Sequence, residues 1–340
     1  MSERFPFPSL PSGWFAVGTS DEVKPGQVVG RHYFDRDIAV YRTESGVLRV
    51  VDAFCPHMGG NLGKVGSVEG ESLRCGFHGF RFDTKGQCTA TSYDGPPPAR
   101  ARLDAWPVRE MGGLIMVWFD EQGREPQWHL PELDTEGWSD LCWRQYALDT
   151  HPQETTENSV DFGHFTQVHG FATGRITREV ATDGPHLNTA YAVERHMPVN
   201  APSFIPKFVL KVDYDVQVWG LGYSQVNVDL HQLGADIRFF IMPVPRDGEH
   251  IDLRLCASIR ETLGPVSRLI RNIAHWFLCL EVEQDIDVWE HKIYKDPPAL
   301  AVGDGPVATY RKWVKQFYSP SGEPARLPRP KPQPVVSAAV

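Results

Sequence analysis

The side chains best suited to chemistry come as two Cys/His pairs, Cys55-Pro56-His57-Met58-Gly59-Gly60 and Cys75-Gly76-Phe77-His78-Gly79-Phe80. The cysteines stand 20 residues apart (75 − 55), and each shares a Gly-containing loop with one histidine. Thiolates suit iron bridged by sulfide, and two imidazoles on one iron raise the potential of a [2Fe–2S] cluster. Loops that wrap a cluster need glycines so that backbone amides can approach the sulfurs. Two Cys and two His also suit tetrahedral zinc. Zinc fingers, however, group Cys with Cys and His with His, so the mixed pairs favour iron and sulfide.

A second set lies in Glu157-Asn158-Ser159-Val160-Asp161-Phe162-Gly163-His164-Phe165-Thr166-Gln167-Val168-His169. Iron that binds oxygen commonly uses two His and one carboxylate on one face. The spacing of five between His164 and His169 is not the four of zinc-protease helices. On a regular helix it sets the side chains about 140° apart. The segment must bend or end between them, and Gly163 and Gly170 make that distortion plausible.

Candidates for the carboxylate cluster in Glu281-Val282-Glu283-Gln284-Asp285-Ile286-Asp287. Residues three, four and seven positions from Asp285 are Leu278, Glu281, Val282, Val288 and Trp289, mostly apolar. Those around Asp287 are Leu280, Glu283, Gln284, Glu290 and His291, mostly polar. A carboxylate facing a core needs a partner such as a metal, so Asp285 is the expected ligand.

The elements that must position these groups differ along the chain. Ile38–Arg42, Val47–Ala53, Ser72–Cys75 and Leu114–Phe119 read as short strands with Gly-containing turns between them. Asp120 to Pro131 is polar and Pro-bearing, like a linker. Beyond it, Asp213–Gln217, Gln225–Leu230 and Ile237–Val244 alternate like strands, and Val266–Lys295 reads as a long helix. The expected class is α+β: an all-β domain over 1–125, an α+β domain with an antiparallel sheet and helices over 126–318, and an extended tail over 319–340. A chain of 340 residues is long enough for two cores.

The paired loops resemble the Rieske family, with its C-x-H and C-x-x-H. The Asn158-to-His169 string resembles the iron-binding pattern of Rieske non-haem iron oxygenases. The resemblance covers most of the chain. It implies a Rieske domain with one [2Fe–2S] cluster on Cys55, His57, Cys75 and His78. It also implies a catalytic domain with one mononuclear Fe(II) on His164, His169 and Asp285. Respiratory Rieske proteins add a Cys in each loop; Gly60 and Phe77 stand there, which implies a cluster of lower potential. By resemblance, Asp161 links His164 of one subunit to His78 of a neighbour in a head-to-tail homotrimer, and Asn158 shapes or gates the iron pocket.

Segments Asp52–Gly60 and Gln284–Trp289 look most like the 3-ketosteroid 9α-hydroxylase and cholesterol 7-desaturase branch. This implies a monooxygenase that uses O2 to hydroxylate or desaturate an apolar polycyclic substrate, a steroid or sterol. Natural-product tailoring and aromatic-ring oxygenases are the alternatives, and a pure electron carrier is the rival from another class. Gly220-Leu221-Gly222-Tyr223 is an incomplete dinucleotide motif, and no C-x4-C-x2-C run is present. A separate NAD(P)H-dependent reductase or ferredoxin is therefore expected. The apolar, Pro-broken stretch from Met197 to Leu210 is a candidate pocket wall or lid.

A net charge of −9 argues against nucleic acid, whose phosphates require Lys and Arg. No apolar run approaches the ~20 residues that span a bilayer. Met1 to Pro11 lacks the apolar core of a secretory signal. With six cysteines and no signal, metal binding in the cytoplasm is expected rather than disulfides.

Overall fold

Short stretches of alternating burial, punctuated by glycine turns, give the N-terminal part strands and almost no helix. The computed structural model describes residues 4–170, 173–197, 208–230, 234–262 and 264–319. The expected tail beyond Ser319 and residues 198–207 of the proposed lid lie outside them. Contacts separate two units: one covers Val17–Gln127, and the other joins the residues up to Ala16 to the chain from Trp128 onward.

In the first unit, the fully buried β1 (Gly13–Thr19) spans the boundary. β2 (Val28–Tyr33), β3 (Arg36–Arg42) and β4 (Leu48–Asp52) form an antiparallel sheet in that order. After the one-turn helix α1 (Leu62–Val65), four strands form a second sheet. These are β5 (Gly66–Glu69), β6 (Ser72–Cys75), β7 (Arg81–Phe82) and β8 (Cys88–Ala90). A hairpin of β9 (Val108–Met111) and β10 (Leu114–Phe119) follows. On β6 the two-residue period turns Leu73 and Cys75 inward. Both join Tyr41, Leu62, Phe80 and Phe82 in one core that also holds Cys55.

The second unit begins with β11 (Cys142–Leu148), α2 (Pro152–Glu157) and α3 (His164–Gln167). Then come β12 (Thr173–Asp183), β13 (His186–Met197), β14 (Phe208–Trp219), β15 (Tyr223–Leu230), β16 (Ala235–Pro245) and β17 (Ile251–Ile259). They make an antiparallel seven-stranded sheet in the order β11-β17-β16-β15-β14-β13-β12. The expected strands at 213–217, 225–230 and 237–244 fall within β14, β15 and β16. Helix α4 (Pro265–His291) begins with proline in its first turn, where no intrahelical N–H is lost, and packs on β17 and β11. Helix α5 (Val307–Val314) closes the unit. Among the described residues no helix is long and apolar enough to cross a membrane.

The first residues are tied into this unit by specific bonds. Arg4 donates to the carbonyls of Trp289 (2.6 Å) and Lys292 (2.9 Å). Ser12 N–H donates to Phe317 O at 2.7 Å, and Trp14 Nε1–H to Trp128 O at 2.9 Å.

Helix α2 is polar in sequence yet buried over its whole length. Such a helix needs partners for its charges. Glu157 is held by Arg311 through two bonds of 2.7 and 2.9 Å, and Glu154 lies 2.8 Å from Lys292 Nζ. His151 caps the helix by accepting from Gln153 N–H at 3.2 Å. This anchoring fixes the stretch from which Asn158, Asp161 and His164 project.

Candidate metal centres

The two Cys/His loops are built alike. Gly59 N–H donates to Cys55 O and Gly79 N–H to Cys75 O, both at 2.9 Å. Each cysteine N–H is in turn satisfied from the loop's far side, Cys55 by Gly60 O (2.9 Å) and Cys75 by Phe80 O (2.8 Å). Gly59 and Gly79 have φ of 73° and 68°, a backbone that only glycine adopts without strain. The result is two matching knuckles, each presenting a buried thiol and a half-buried imidazole.

The four side chains converge. The rings of His57 and His78 lie 4.7 Å apart at 81°. His57 Nδ1 is buried and has no hydrogen-bond partner. Burial pushes the Cys55 thiol up to about 11, with the neighbouring Cys75 raising it further. Two buried thiols and an orphaned imidazole nitrogen are groups that a cationic metal satisfies, because it supplies the charge that deprotonates sulfur. Phe80 stacks on His57 with centroids 4.3 Å apart at 12°, fixing its ring plane. Around this spot Phe54, Met58, Phe77 and Tyr93 are exposed, leaving an apolar rim.

The second set forms where α2 runs into α3 and meets α4. Helix α3 is a single turn. Val168 N–H still bonds to His164 O at 2.7 Å, after which the chain turns at Gly170 (φ 66°). The helix thus ends between the two histidines, as their spacing of five requires. His164, His169 and Asp285 each bring a donor atom to within 4.8 Å of the others. His169 Nε2 faces Asp285 Oδ1 at 3.6 Å, and the two imidazoles stand 5.0 Å apart at 74°. Asp287 is exposed, on the opposite side of α4 from Asp285.

The surroundings aim these donors. Asn158 Nδ2–H donates to Asp285 Oδ2 at 3.0 Å, which leaves Oδ1 pointing at the histidines. His169 Nδ1 faces Gln284 Oε1 (3.2 Å) and Glu281 Oε2 (3.3 Å). The Gln284 acceptor, with the Glu281 carboxylate nearby, places the proton on Nδ1 and leaves Nε2 with its lone pair toward Asp285. Asp161 Oδ2 lies 3.4 Å from His164 Nδ1, and Gly163 N–H donates to its Oδ1 at 3.1 Å. Burial acts to raise the Asp161 carboxyl, but His164 and the backbone amides bring it below the usual value. For Asp285 burial wins and lifts the carboxyl to about 6, against the opposing pull of His164 and Asn158.

A cavity of about 230 Å³ opens onto this triad. Its walls are the inner faces of β13 to β16 and the side of α4 that carries Ala274, Leu278 and Val282. The sheet side of its lining is aliphatic or aromatic except for Ser224, while Thr155, Thr156, Asn158, Ser159 and Glu281 join the triad on the other side. Tyr191 stacks on Tyr214 at 5.0 Å and touches Phe165 of α3 at the same centroid distance, and burial pushes its phenol well up. Glu281, Gln284 and the sheet wall were not singled out as site residues in the sequence. Only the register of four strands and the turn of α4 bring them here.

The family described as the Rieske [2Fe–2S] domain matches residues 13–107, and the 3-ketosteroid 9α-hydroxylase C-terminal domain matches residues 117–318. Cholesterol 7-desaturase of Ciona intestinalis is 30% identical over 92% of this chain and 69% of its own length. The oxygenase component of 3-ketosteroid-9-alpha-monooxygenase from Rhodococcus rhodochrous is 28% identical over 90% and 83%. Dicamba monooxygenase bound to dicamba shares the fold with a TM-score of 0.70 at 19% identity, covering 90% of this chain and 96% of that one. NdmA of Pseudomonas putida CBB5 with caffeine aligns with a TM-score of 0.68 at 20% identity, over 89% of each chain. The chain belongs to the Rieske non-haem iron oxygenases, in the group whose catalytic domain is of the 3-ketosteroid 9α-hydroxylase type.

Proposed function

We propose that this enzyme hydroxylates or desaturates a steroid or sterol in the cavity beside His164, His169 and Asp285. One observation carries the reading: away from the triad and its neighbours Asn158 and Glu281, the cavity is walled mainly by apolar side chains of β13 to β16 and α4. A polycyclic hydrocarbon skeleton gains by leaving water for such walls, whereas a carboxylate would not. The two steroid-acting relatives favour the same class.

The residues present fit the groups the family implies. Cys55, His57, Cys75 and His78 would hold the [2Fe–2S] cluster, and His164, His169 and Asp285 the mononuclear iron. When bound, the cluster supplies electrons singly and the iron supplies an oxygen-activating centre with open positions. The protein supplies the rest. Asn158 ties up one oxygen of Asp285 and so presents the other. Glu281 and Gln284 hold the proton of His169 on Nδ1, and Asp161 orients His164. Apolar walls keep bulk water from the reacting carbon.

The chain requires a separate NAD(P)H-dependent reductase or ferredoxin, and the exposed rim of Phe54, Met58 and Phe77 suits its docking. A head-to-tail trimer would set Asp161 against His78 of the next subunit; in support, the Asp161 side chain remains 35% exposed. None of the six cysteines is paired in a disulfide, which fits a reducing cytoplasm.

The test is turnover by purified protein with its metals and a reductase, offered a 3-ketosteroid, cholesterol, dicamba and caffeine. Oxygen uptake matched by steroid product is expected. Oxidation of dicamba or caffeine alone would overturn the steroid reading. An iron-to-sulfide ratio of one rather than about three to two would make the chain a pure electron carrier.

A further inference from the structure

Helix α4 is apolar on two sides. Inward, Ile270, Ala274 and Leu278 pack against the core of the second unit. Outward, Val266, Leu269, Ile273 and Trp276 are each between 47% and 60% exposed, and the partly exposed Leu280 continues the line. Steps of three and four residues set these five on one stripe along about four turns of helix. Single exposed apolar side chains are ordinary on a protein surface. A helix that is apolar all round over such a length is one that is buried all round. The outer stripe therefore belongs against a partner.

The stripe fits its own image. Val266 and Leu269 precede Ile273, and Trp276 and Leu280 follow it at nearly mirrored spacing. A second α4 laid antiparallel across it sets Ile273 on Ile273, Leu269 on Trp276 and Val266 on Leu280. Charge selects that direction. The same line of positions continues past Leu280 as Glu283 and Asp287, both exposed. The first turn of α4 holds no acidic residue, and its unsatisfied N–H groups make that end partly positive. Antiparallel pairing brings each acidic end toward the partner's N-terminus, whereas parallel pairing sets acid on acid. The two acids and the net charge of −9 also count against a lipid surface, which is anionic on the cytoplasmic side.

We propose that the outer face of α4 is a self-association surface, on which a second copy of this chain lays its own α4 antiparallel about a two-fold axis at Ile273. Such a contact uses the same patch on both partners and closes after two chains. It is separate from the head-to-tail contact through Asp161, and it does not depend on the steroid reading. Alone it gives a pair; added to a ring of three it joins two rings into six chains. The turns it covers are those whose inner side, at Ala274 and Leu278, walls the cavity.

The experiment is analytical sedimentation of the full-length, metal-loaded protein beside Ile273→Glu and Ile273→Cys. Wild type should sediment as an even number of chains. Ile273→Glu should halve that mass, because each buried carboxylate would face its own copy, with iron content and the reduced cluster's spectrum unchanged. Mildly oxidised Ile273→Cys should give a two-chain band on a non-reducing gel that wild type does not give. Should Ile273→Glu fail to fold, the cross-link alone decides. Wild type sedimenting as one or three chains, an unchanged mass in Ile273→Glu, or no cross-link would each overturn the pairing. Vesicles of phosphatidylcholine and phosphatidylserine that bind wild type but not Ile273→Glu, at unchanged mass, would give the face to a lipid surface instead. Slower reduction of Ile273→Glu by the reductase, again at unchanged mass, would give it to the reductase.

Discussion

Asn158 and Asp285, 127 positions apart in the chain, meet through a single hydrogen bond of 3.0 Å from Nδ2–H to Oδ2. Because the bond occupies one carboxylate oxygen, it decides which oxygen is presented to His164 and His169. Removing it with Asn158→Ala should weaken mononuclear iron binding by about 10- to 100-fold. Anaerobic titration of iron-depleted protein would measure this. An unchanged affinity would show that Asp285 is oriented by something else.

The carboxylate itself gives a sharper contrast. Asp285→Ala should lose the mononuclear iron and turnover while sparing the cluster. Asp287→Ala, altering an exposed side chain, should leave both. Since burial holds the free Asp285 carboxyl at about 6, protons compete with the metal below that pH. Iron affinity should therefore fall as the pH drops from 7 to 5, and more steeply than in a solvent-exposed site.

Replacing Cys55 or His78 by Ala should abolish the Rieske-type EPR signal of the reduced protein. Both residues sit in the paired knuckles, and neither has a substitute ligand in its loop. An all-thiolate [2Fe–2S] spectrum in the wild type, or bound zinc, would refute the assignment.

Asp161→Asn should keep both metals yet nearly stop turnover. The amide is close in shape but lacks the charge that holds His164 by its Nδ1–H. In rapid mixing, the reductase should reduce the cluster at the normal rate. Reoxidation with substrate and O2 should then be very slow; ordinary reoxidation would remove the main support for the ring-shaped assembly.

His151 offers a test apart from both metals. It is fully buried beside Phe7, and burial holds its imidazole down to about 3. The folded group stays neutral while the unfolded one protonates below about 6.5, so its contribution is present above 6.5 and is lost on acidification toward 3. The loss amounts to about 1.4 kcal/mol per pH unit. Unfolding free energies from urea titrations at pH 7 and pH 5 should differ less in His151→Gln than in wild type, by about 2 kcal/mol over that interval. Parallel slopes in the two proteins would contradict this.

Local chemistry made much of this molecule legible from residue types. Gly59 and Gly79 encode the knuckles four residues after each cysteine, and Gly163 and Gly170 flank the helix that had to end. The inward side of Asp285 followed from the apolar residues one turn away on α4. What stayed hidden depends on distant registers. Gln284 and Glu281 reach His169 across more than a hundred residues. The attachment of Arg4, Ser12 and Trp14 to the second unit rests on bonds to backbone carbonyls, which no side-chain pattern betrays.

The single turn of α3 has a consequence for metal uptake. Four residues are too few to sustain helical structure by their own hydrogen bonds, since nucleation is paid before propagation can repay it. The stretch from His164 to His169 is therefore ordered by tertiary contacts, those of Phe165 with Tyr191 and those of its two imidazoles. Iron held by those imidazoles would add to this order, so its uptake should carry an unfavourable entropy and protect the amides of Val168 and its neighbours from exchange.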